Sequence, residues 1–492
     1  MASAYQRLSA QDASFLHFEH RATPMHVAAL AIFEQGPLAT AQGALDAERL
    51  GKYVESRLHL LPRYRRKLAF TPLERHPVWV DDERFDLSYH LRRAGLPPPG
   101  DERALQELVA RILSQPLDRA RPLWEMWFVE GLAGGRFAIV SKVHHCMVDG
   151  VSGANLLTLL FSPRPDEEAG AVPVWTPRPA PTAARLVLAD AARGARRPFA
   201  LAARVGSALR DPRRAWADLA EGAAAVGEAL VAGLRVASTT PLNRPTGPHR
   251  RVDWHAVDLE LVKEVKRRLG GTVNDVVLSA VAGALHRFLG ERGSWLAKLD
   301  YRVVIPVNMR PPGDALRAAN RVSAMFLSLP VAESDPLRRL ATIQAETRRL
   351  KGSRAAEGTD LFVRFADWTD SPWLTRFGVR IVSRLRPYHL IVTNVPGPQL
   401  PLYVLGAPLV ELIPFLPLFD RQGLGVAVLS YRDRIGWGLV ADREIVPDLS
   451  RLTRALDASL RELSDAALAL PSACGTGDAS QSRARGYVAR IT

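Results

Sequence analysis

Cysteine is almost missing from this chain: 492 residues hold two, Cys146 and Cys474, far apart in sequence. That excludes a disulfide framework and fits a reducing compartment. Also missing is an uninterrupted apolar run of the roughly 18–20 residues that a spanning helix needs. The strongest stretch, Val404 to Tyr431, is broken by prolines, by Glu411 and by Asp420-Arg421. Met1 to Arg7 has neither the basic start nor the apolar core of a signal peptide, so the expected location is cytoplasmic. No zinc finger or RNP motif is visible, and no nucleic-acid partner is expected despite a formal charge of +14.

What is present is enough for large cores. Apolar residues make up 47% and charged residues 24%, the balance of a folded chain of two or three domains. The basic excess suits an anionic lipid surface, the phosphates of a cofactor such as coenzyme A, or simply a solvated arginine-rich face. Residues 1–161 alternate strands and helices, with strands at Met25 to Phe33, Pro122 to Glu130 and Arg136 to Val143 and helices at Ala44 to Leu60 and Asp101 to Leu113. Gly134-Gly135 predicts a hairpin between the last two strands. Residues 162–249 form a proline-rich linker followed by alanine-rich helices, with eight arginines against two aspartates between Arg185 and Arg214. That segment reads either as a connecting crossover with a solvated basic side or as a surface that docks on membrane. Residues 250–466 form a second α/β unit: helices near 259–269, 273–289, 335–350, 360–384 and 449–463, and strands near 301–307, 322–329, 390–394, 424–431 and 434–441. Residues 467–492 are small, polar and basic, as expected of a disordered tail.

The chemistry concentrates in His144-His145-Cys146-Met147-Val148-Asp149-Gly150, directly after a strand. Adjacent strand residues point to opposite faces, so one imidazole enters a cleft while the other meets the interior. Such a histidine suits general-base work near neutral pH. Three rivals are weaker. A catalytic zinc needs three ligands, and no supporting Cys or His spacing is present. Gly150-Val151-Ser152-Gly153-Ala154 approaches a nucleophile elbow but has alanine where glycine belongs. Nothing electropositive singles out Cys146 as a nucleophile. Ordinary roles also exist for single residues: His144 as a satisfied core donor, Asp149 as a helix cap.

The HHxxxDG pattern resembles that of the acyltransferase superfamily of chloramphenicol acetyltransferase, carnitine acyltransferases and peptide-synthetase condensation domains. More narrowly, the chain looks like the bacterial wax ester synthase/acyl-CoA:diacylglycerol acyltransferase family. Supporting pieces run in order: Leu8 to Leu16, Pro24-Met25-His26-Val27, Pro116-Leu117-Asp118-Arg119, Arg121 to Glu125, Leu242-Asn243, Gly247 to Arg250, Asn274-Asp275, Pro306 to Arg310, Thr393 to Pro398 and Ala441-Asp442. Asn308-Met309 and Ala319-Asn320 depart from the family's usual residues.

The resemblance implies an α/β fold of two chloramphenicol acetyltransferase-like lobes, each a mixed sheet with flanking helices, around a central tunnel. It implies an enzyme esterifying diacylglycerol, or long-chain alcohols to wax esters, from long-chain acyl-CoA. No metal and no cofactor is expected beyond acyl-CoA as co-substrate. His145 is then the general base and His144 a support. Asp149 anchors the loop against Arg310, Gly150 makes the turn, and Asn274 is an oxyanion or substrate donor unless it only caps its helix. Leu123 and Trp124 are expected to pack the sheet, and Asn394 to shape a turn between lobes. Open alternatives are a condensation-type transferase fed by a carrier protein and a non-catalytic lipid-binding protein. Peripheral attachment to a membrane or lipid droplet is compatible with all three.

Overall fold

A computed structural model describes residues 5–147, 160–195, 238–293, 297, 299–308, 322–351 and 388–470. Two six-stranded mixed sheets organise them. The first runs, edge to edge, Tyr403–Val404, Ala407–Phe415, His26–Glu34, Arg136–His144, Trp124–Leu132 and Leu91–Gly95. The second runs Val322–Leu329, Tyr301–Asn308, Leu390–Pro396, Leu424–Tyr431, Arg434–Asp442 and Arg250–Asp258. Strands Tyr5–Arg7, Pro77–Asp81 and Arg66–Phe70 form a small third sheet.

Most expected elements lie within a few residues of their places. The helical region at 360–384 falls outside the described residues. Asn394 is not in a turn: it sits inside strand Leu390–Pro396, opposite Val428 of a parallel neighbour. The bend comes after it, at Gln399-Leu400. At Gly397, just beyond the strand, a Cβ would lie 2.1 Å from the Ser430 carbonyl oxygen, so only glycine fits. Strand Ala407–Phe415 joins the first sheet from late in the chain, pairing Ile413 with Leu30 and Phe415 with Ala28. Its prolines argue against an interior strand. A register shift between Leu409 and Glu411 accommodates the irregularity.

Each sheet buries an apolar face. Helix Val273–Gly290 is buried nearly all round and lies against helix Leu449–Ala469, filling the second core with Val276, Val277, Leu285 and Leu460. Between the sheets lies a shared core. Leu30, Val140 and Ile413 from the first sheet meet Val252, Trp254 and Val440 from the second. Helix Glu102–Ser114 adds Leu105, Leu108, Val109 and Ile112. Asp101 caps it, accepting from the Ala104 amide, and the apolar spacing from 105 to 113 makes one buried stripe. At its far end Lys142, fully buried in strand Arg136–His144, donates to the carbonyls of Ile112 and Gln115 and pairs with Glu125 at 3.1 Å. Burial lowers the ammonium's affinity for its proton, and Glu125 opposes that.

Candidate active site

Strand Arg136–His144 delivers the histidine pair. It lies between Trp124–Leu132 and His26–Glu34, with Val143 opposite Trp124 and His144 opposite His26. Beyond it the chain turns through a short 3-10 segment, His145–Met147. Two backbone bonds fix the exit: the His144 amide donates to the Leu123 carbonyl at 2.9 Å, the His145 amide to that of Met25 at 2.8 Å.

The two rings have different surroundings. His144 is fully buried, and its Nδ1 accepts from the Cys146 amide at 3.1 Å. An Nδ1 that accepts carries no proton, so in the neutral ring Nε2 does. That Nε2 stands 3.5 Å from Glu19 Oε2. His145 is partly exposed, with its ring stacked on Phe15 at a centroid distance of 3.8 Å and 13° between planes. Among the described residues its Nδ1 has no hydrogen-bond partner.

Burial pushes His145 down to about 4; a contact with its own backbone opposes the shift and neighbouring His144 adds to it. The ring is therefore neutral at pH 7 and free to accept a proton. Burial also takes His26 to about 4, against the nearby Glu19 carboxylate, which raises it. Cys146 is buried, and burial drives its thiol well above the usual range, leaving no thiolate for nucleophilic attack.

These shifts predict acid sensitivity of the fold. Below about 6.5 the unfolded chain's histidines bind protons that folded His26 and His145 refuse. Stability is full above that pH and is lost as pH falls toward 4, by on the order of a few kcal/mol at pH 5. Urea midpoints measured from pH 7.5 to 5 should fall continuously; a flat profile contradicts the buried neutral rings.

The other expected site residues divide into two groups. Asp149, Gly150 and Arg310 lie outside the described residues, as does Ser152. Asn274 is half-buried at the second position of helix Val273–Gly290 and does not cap it. Thr272 is the cap: its hydroxyl accepts from the Asp275 amide while the Asp275 carboxylate accepts from the Thr272 amide at 2.7 Å. The capping work being done by its neighbours, the Asn274 amide is left for another partner. Leu123 and Trp124 are buried, with the Trp124 indole donating to the Tyr64 carbonyl at 2.8 Å and stacking on His90.

Two residues that touch the histidines were not expected. Phe15 and Glu19 flank the end of helix α1 (Ala10–Phe18), one turn apart and thus on one face. Phe15 falls within the Leu8 to Leu16 piece and Glu19 four residues later, just ahead of Pro24-Met25-His26-Val27, but nothing in the sequence ties either to the histidines.

Comparison with known proteins adds an independent line. Residues 8–277 match the model of the wax ester synthase/diacylglycerol acyltransferase catalytic domain, and residues 318–464 that of the family's C-terminal domain. A putative diacylglycerol O-acyltransferase of Mycobacterium tuberculosis is 37% identical over 475 residues, covering 94% of this chain and 90% of the relative. A probable diacylglycerol O-acyltransferase of the same species, tgs1, is 32% identical over 461 residues, covering 93% and 95%. Among solved structures, the wax ester synthase/diacylglycerol acyltransferase of Marinobacter aquaeolei VT8 aligns with a TM-score of 0.66 at 27% identity, covering 94% of this chain and 100% of that one. The first condensation domain of the calcium-dependent antibiotic synthetase aligns at 0.58 and 17% identity, covering 96% and 98%, which shows a shared two-lobed fold.

Proposed function

Since the chain belongs to the wax ester synthase/diacylglycerol acyltransferase family and is thus an acyltransferase, we propose that it esterifies diacylglycerol, and secondarily long-chain alcohols, from long-chain acyl-CoA, with His145 as general base. The observation that carries the assignment is the placement of the motif's second imidazole, stacked on Phe15 while its neighbour is fully buried; burial that lowers its pKa to about 4 keeps that ring neutral. An alcohol is a poor nucleophile until a base removes its proton. His145 Nε2 takes that proton as the oxygen bonds to the thioester carbonyl carbon. The tetrahedral oxyanion then collapses, the C–S bond breaks, and the departing thiolate recovers the proton from the imidazolium. Ester and thiol result; the step balances with no metal or cofactor beyond the acyl-CoA co-substrate. Asn274 is suited to donate to the oxyanion, and Asp149 to hold its loop against Arg310. Radiolabelled palmitoyl-CoA offered with diacylglycerol or hexadecanol should yield triacylglycerol or wax ester. Labelled fatty acid as the sole product would overturn the assignment.

Such acceptors do not dissolve in water, and the surface suits work at a lipid boundary. No helix among the described residues is long and apolar enough to cross a membrane. The helix at 183–195 instead exposes Ala184, Leu188, Ala191, Ala192 and Ala195, an apolar stripe at helical spacing. Asp190, on its inner side, accepts from the Leu73 and Glu74 amides and pairs with Arg7, tying the helix to a turn that exposes Leu73 and follows the exposed Phe70 at the end of strand Arg66–Phe70. Arg75 and Arg185 are exposed nearby in the chain, and the net charge is +14. Apolar area beside basic charge favours an anionic lipid surface. Phosphatidylglycerol vesicles should sediment the protein more strongly than phosphatidylcholine vesicles, and Leu188→Asp should weaken that binding roughly tenfold. Equal binding of the variant would remove this surface from the account.

A further inference from the structure

Glu19 is a carboxylate held inside the protein, its side chain 9% exposed, between two histidines and an arginine. Burial alone would raise its pKa. The nearby rings of His144 and His26, each 3.5 Å away, and hydrogen bonds from Arg119 hold it well below the usual carboxylate range instead, so it stays charged. Arg119, from Pro116-Leu117-Asp118-Arg119, donates to Glu19 Oε2 through Nε at 2.9 Å and to the Leu16 carbonyl at 3.1 Å, locking the end of α1. None of this touches a substrate, and the acid–base chemistry assigned above does not use it.

Two short routes lead from this carboxylate to the turn that presents His145. On one, Oε2 faces His144 Nε2, and the same ring accepts the Cys146 amide through Nδ1. On the other, Oε1 accepts the Met25 amide at 3.2 Å, and the carbonyl of Met25 accepts the His145 amide at 2.8 Å. The amides of two consecutive residues, 145 and 146, are thus each one residue removed from Glu19. Phe15, on the same helix face, stacks on the His145 ring itself.

We propose that Glu19 is a positioning residue for acyl transfer, fixing the His144 tautomer and, through His144 and the Met25 peptide, the backbone turn that aims His145. The proposal rests on His145 being the base. A neutral amide cannot do the same work. In Glu19→Gln one of the two oxygens becomes a donor. An NH2 in the Oε2 place meets the His144 Nε2–H and Arg119, and an NH2 in the Oε1 place meets the Met25 amide. Donor faces donor on one route or the other unless, on the first, the ring changes tautomer. A changed tautomer places a proton on Nδ1, and the Cys146 amide loses its acceptor. Oriented partners of this kind are typically worth about ten- to a hundredfold in activity.

The experiment compares wild type, Glu19→Gln and His145→Ala for kcat and KM with palmitoyl-CoA and diacylglycerol, alongside thermal midpoints. In Glu19→Gln, kcat should fall about ten- to a hundredfold with KM for palmitoyl-CoA changed less than about twofold, in protein that remains folded. Wild-type kcat in Glu19→Gln overturns the proposal, as does a loss of stability with undiminished kcat per folded molecule. Full activity in His145→Ala overturns the base assignment instead, so the two failures are distinct. If Glu19→Gln does not fold, the wild type is read directly by 15N NMR with labelled cysteine and histidine. The Cys146 amide, one of two cysteine signals, should couple across its hydrogen bond to an imidazole Nδ1 whose Nε2 is protonated. A protonated Nδ1 on that ring overturns the proposal.

Discussion

His145→Ala should lower kcat for acyl transfer about a thousandfold, roughly 4 kcal/mol of transition-state stabilisation. The reason is specific to its position. The ring is held neutral by burial, down to about 4, and is held in orientation by Phe15, so it is ready to accept a proton throughout the neutral range. KM for palmitoyl-CoA should stay near the wild-type value, because the ring acts on a proton that moves only in the transition state. His144 offers no substitute. Its Nδ1 is engaged by the Cys146 amide and its Nε2 faces Glu19, so neither nitrogen is free for an alcohol. Nor does Cys146, whose thiol stays protonated. Initial rates of thiol release, measured on protein with an unchanged thermal midpoint, give the answer; a loss below tenfold means that something else removes the proton.

Gly438→Ala should be the most destabilising single-methyl change in the chain's centre. Strand Arg434–Asp442 of the second sheet crosses strand Ala407–Phe415 of the first, and the two approach so closely that a Cβ at Gly438 would stand 1.7 Å from the Pro414 carbonyl oxygen. At Gly436 the corresponding distance is 2.3 Å, to the Leu412 carbonyl oxygen. Backbone meets backbone at both places, so no flexible side chain can yield. The strands must part, opening the shared core of Leu30, Val140, Ile413, Val440 and Trp254. A cost of roughly 3 kcal/mol and a Tm lower by about 5 °C or more are expected. Gly36→Ala is the control: nothing lies within 4 Å of a Cβ there, and its effect should stay within about 0.5 kcal/mol. Equal midpoints for the two variants would contradict the close crossing of the sheets.

Much of this architecture is legible in the residues themselves. Strand Arg136–His144 announces itself by its apolar run and by Gly134-Gly135, and helix Glu102–Ser114 by its 3.6-residue stripe and Asp101 cap. The strands that escape notice break a rule locally for a reason found far away. Ala407–Phe415 contains Pro408 and Pro414, which speak against a strand, yet it pairs with His26–Glu34, a strand hundreds of residues earlier. Arg250–Asp258 opens with two arginines; Arg250 is buried because its guanidinium bonds the carbonyls of Gly247 and Ala22 across the chain. The site shows the same division. An HHxxxDG motif is readable because its spacing is local. Glu19, Phe15 and Arg119 are not, because their relation to His144 and His145 exists only once α1 is folded against the strand end. That Asn274 is not the cap of its helix is visible only in the fold, where Thr272 and Asp275 form the capping box.

Central to the account is direct transfer: one imidazole, one proton, and no acyl group ever attached to the protein. Stopped-flow thiol release from palmitoyl-CoA tests it, with wild type and His145→Ala each mixed with and without diacylglycerol. Thiol should appear at an appreciable rate only when His145 and the acceptor are both present. A burst of thiol equal to the enzyme concentration, in wild type without acceptor, would reveal an acyl-enzyme and contradict the account.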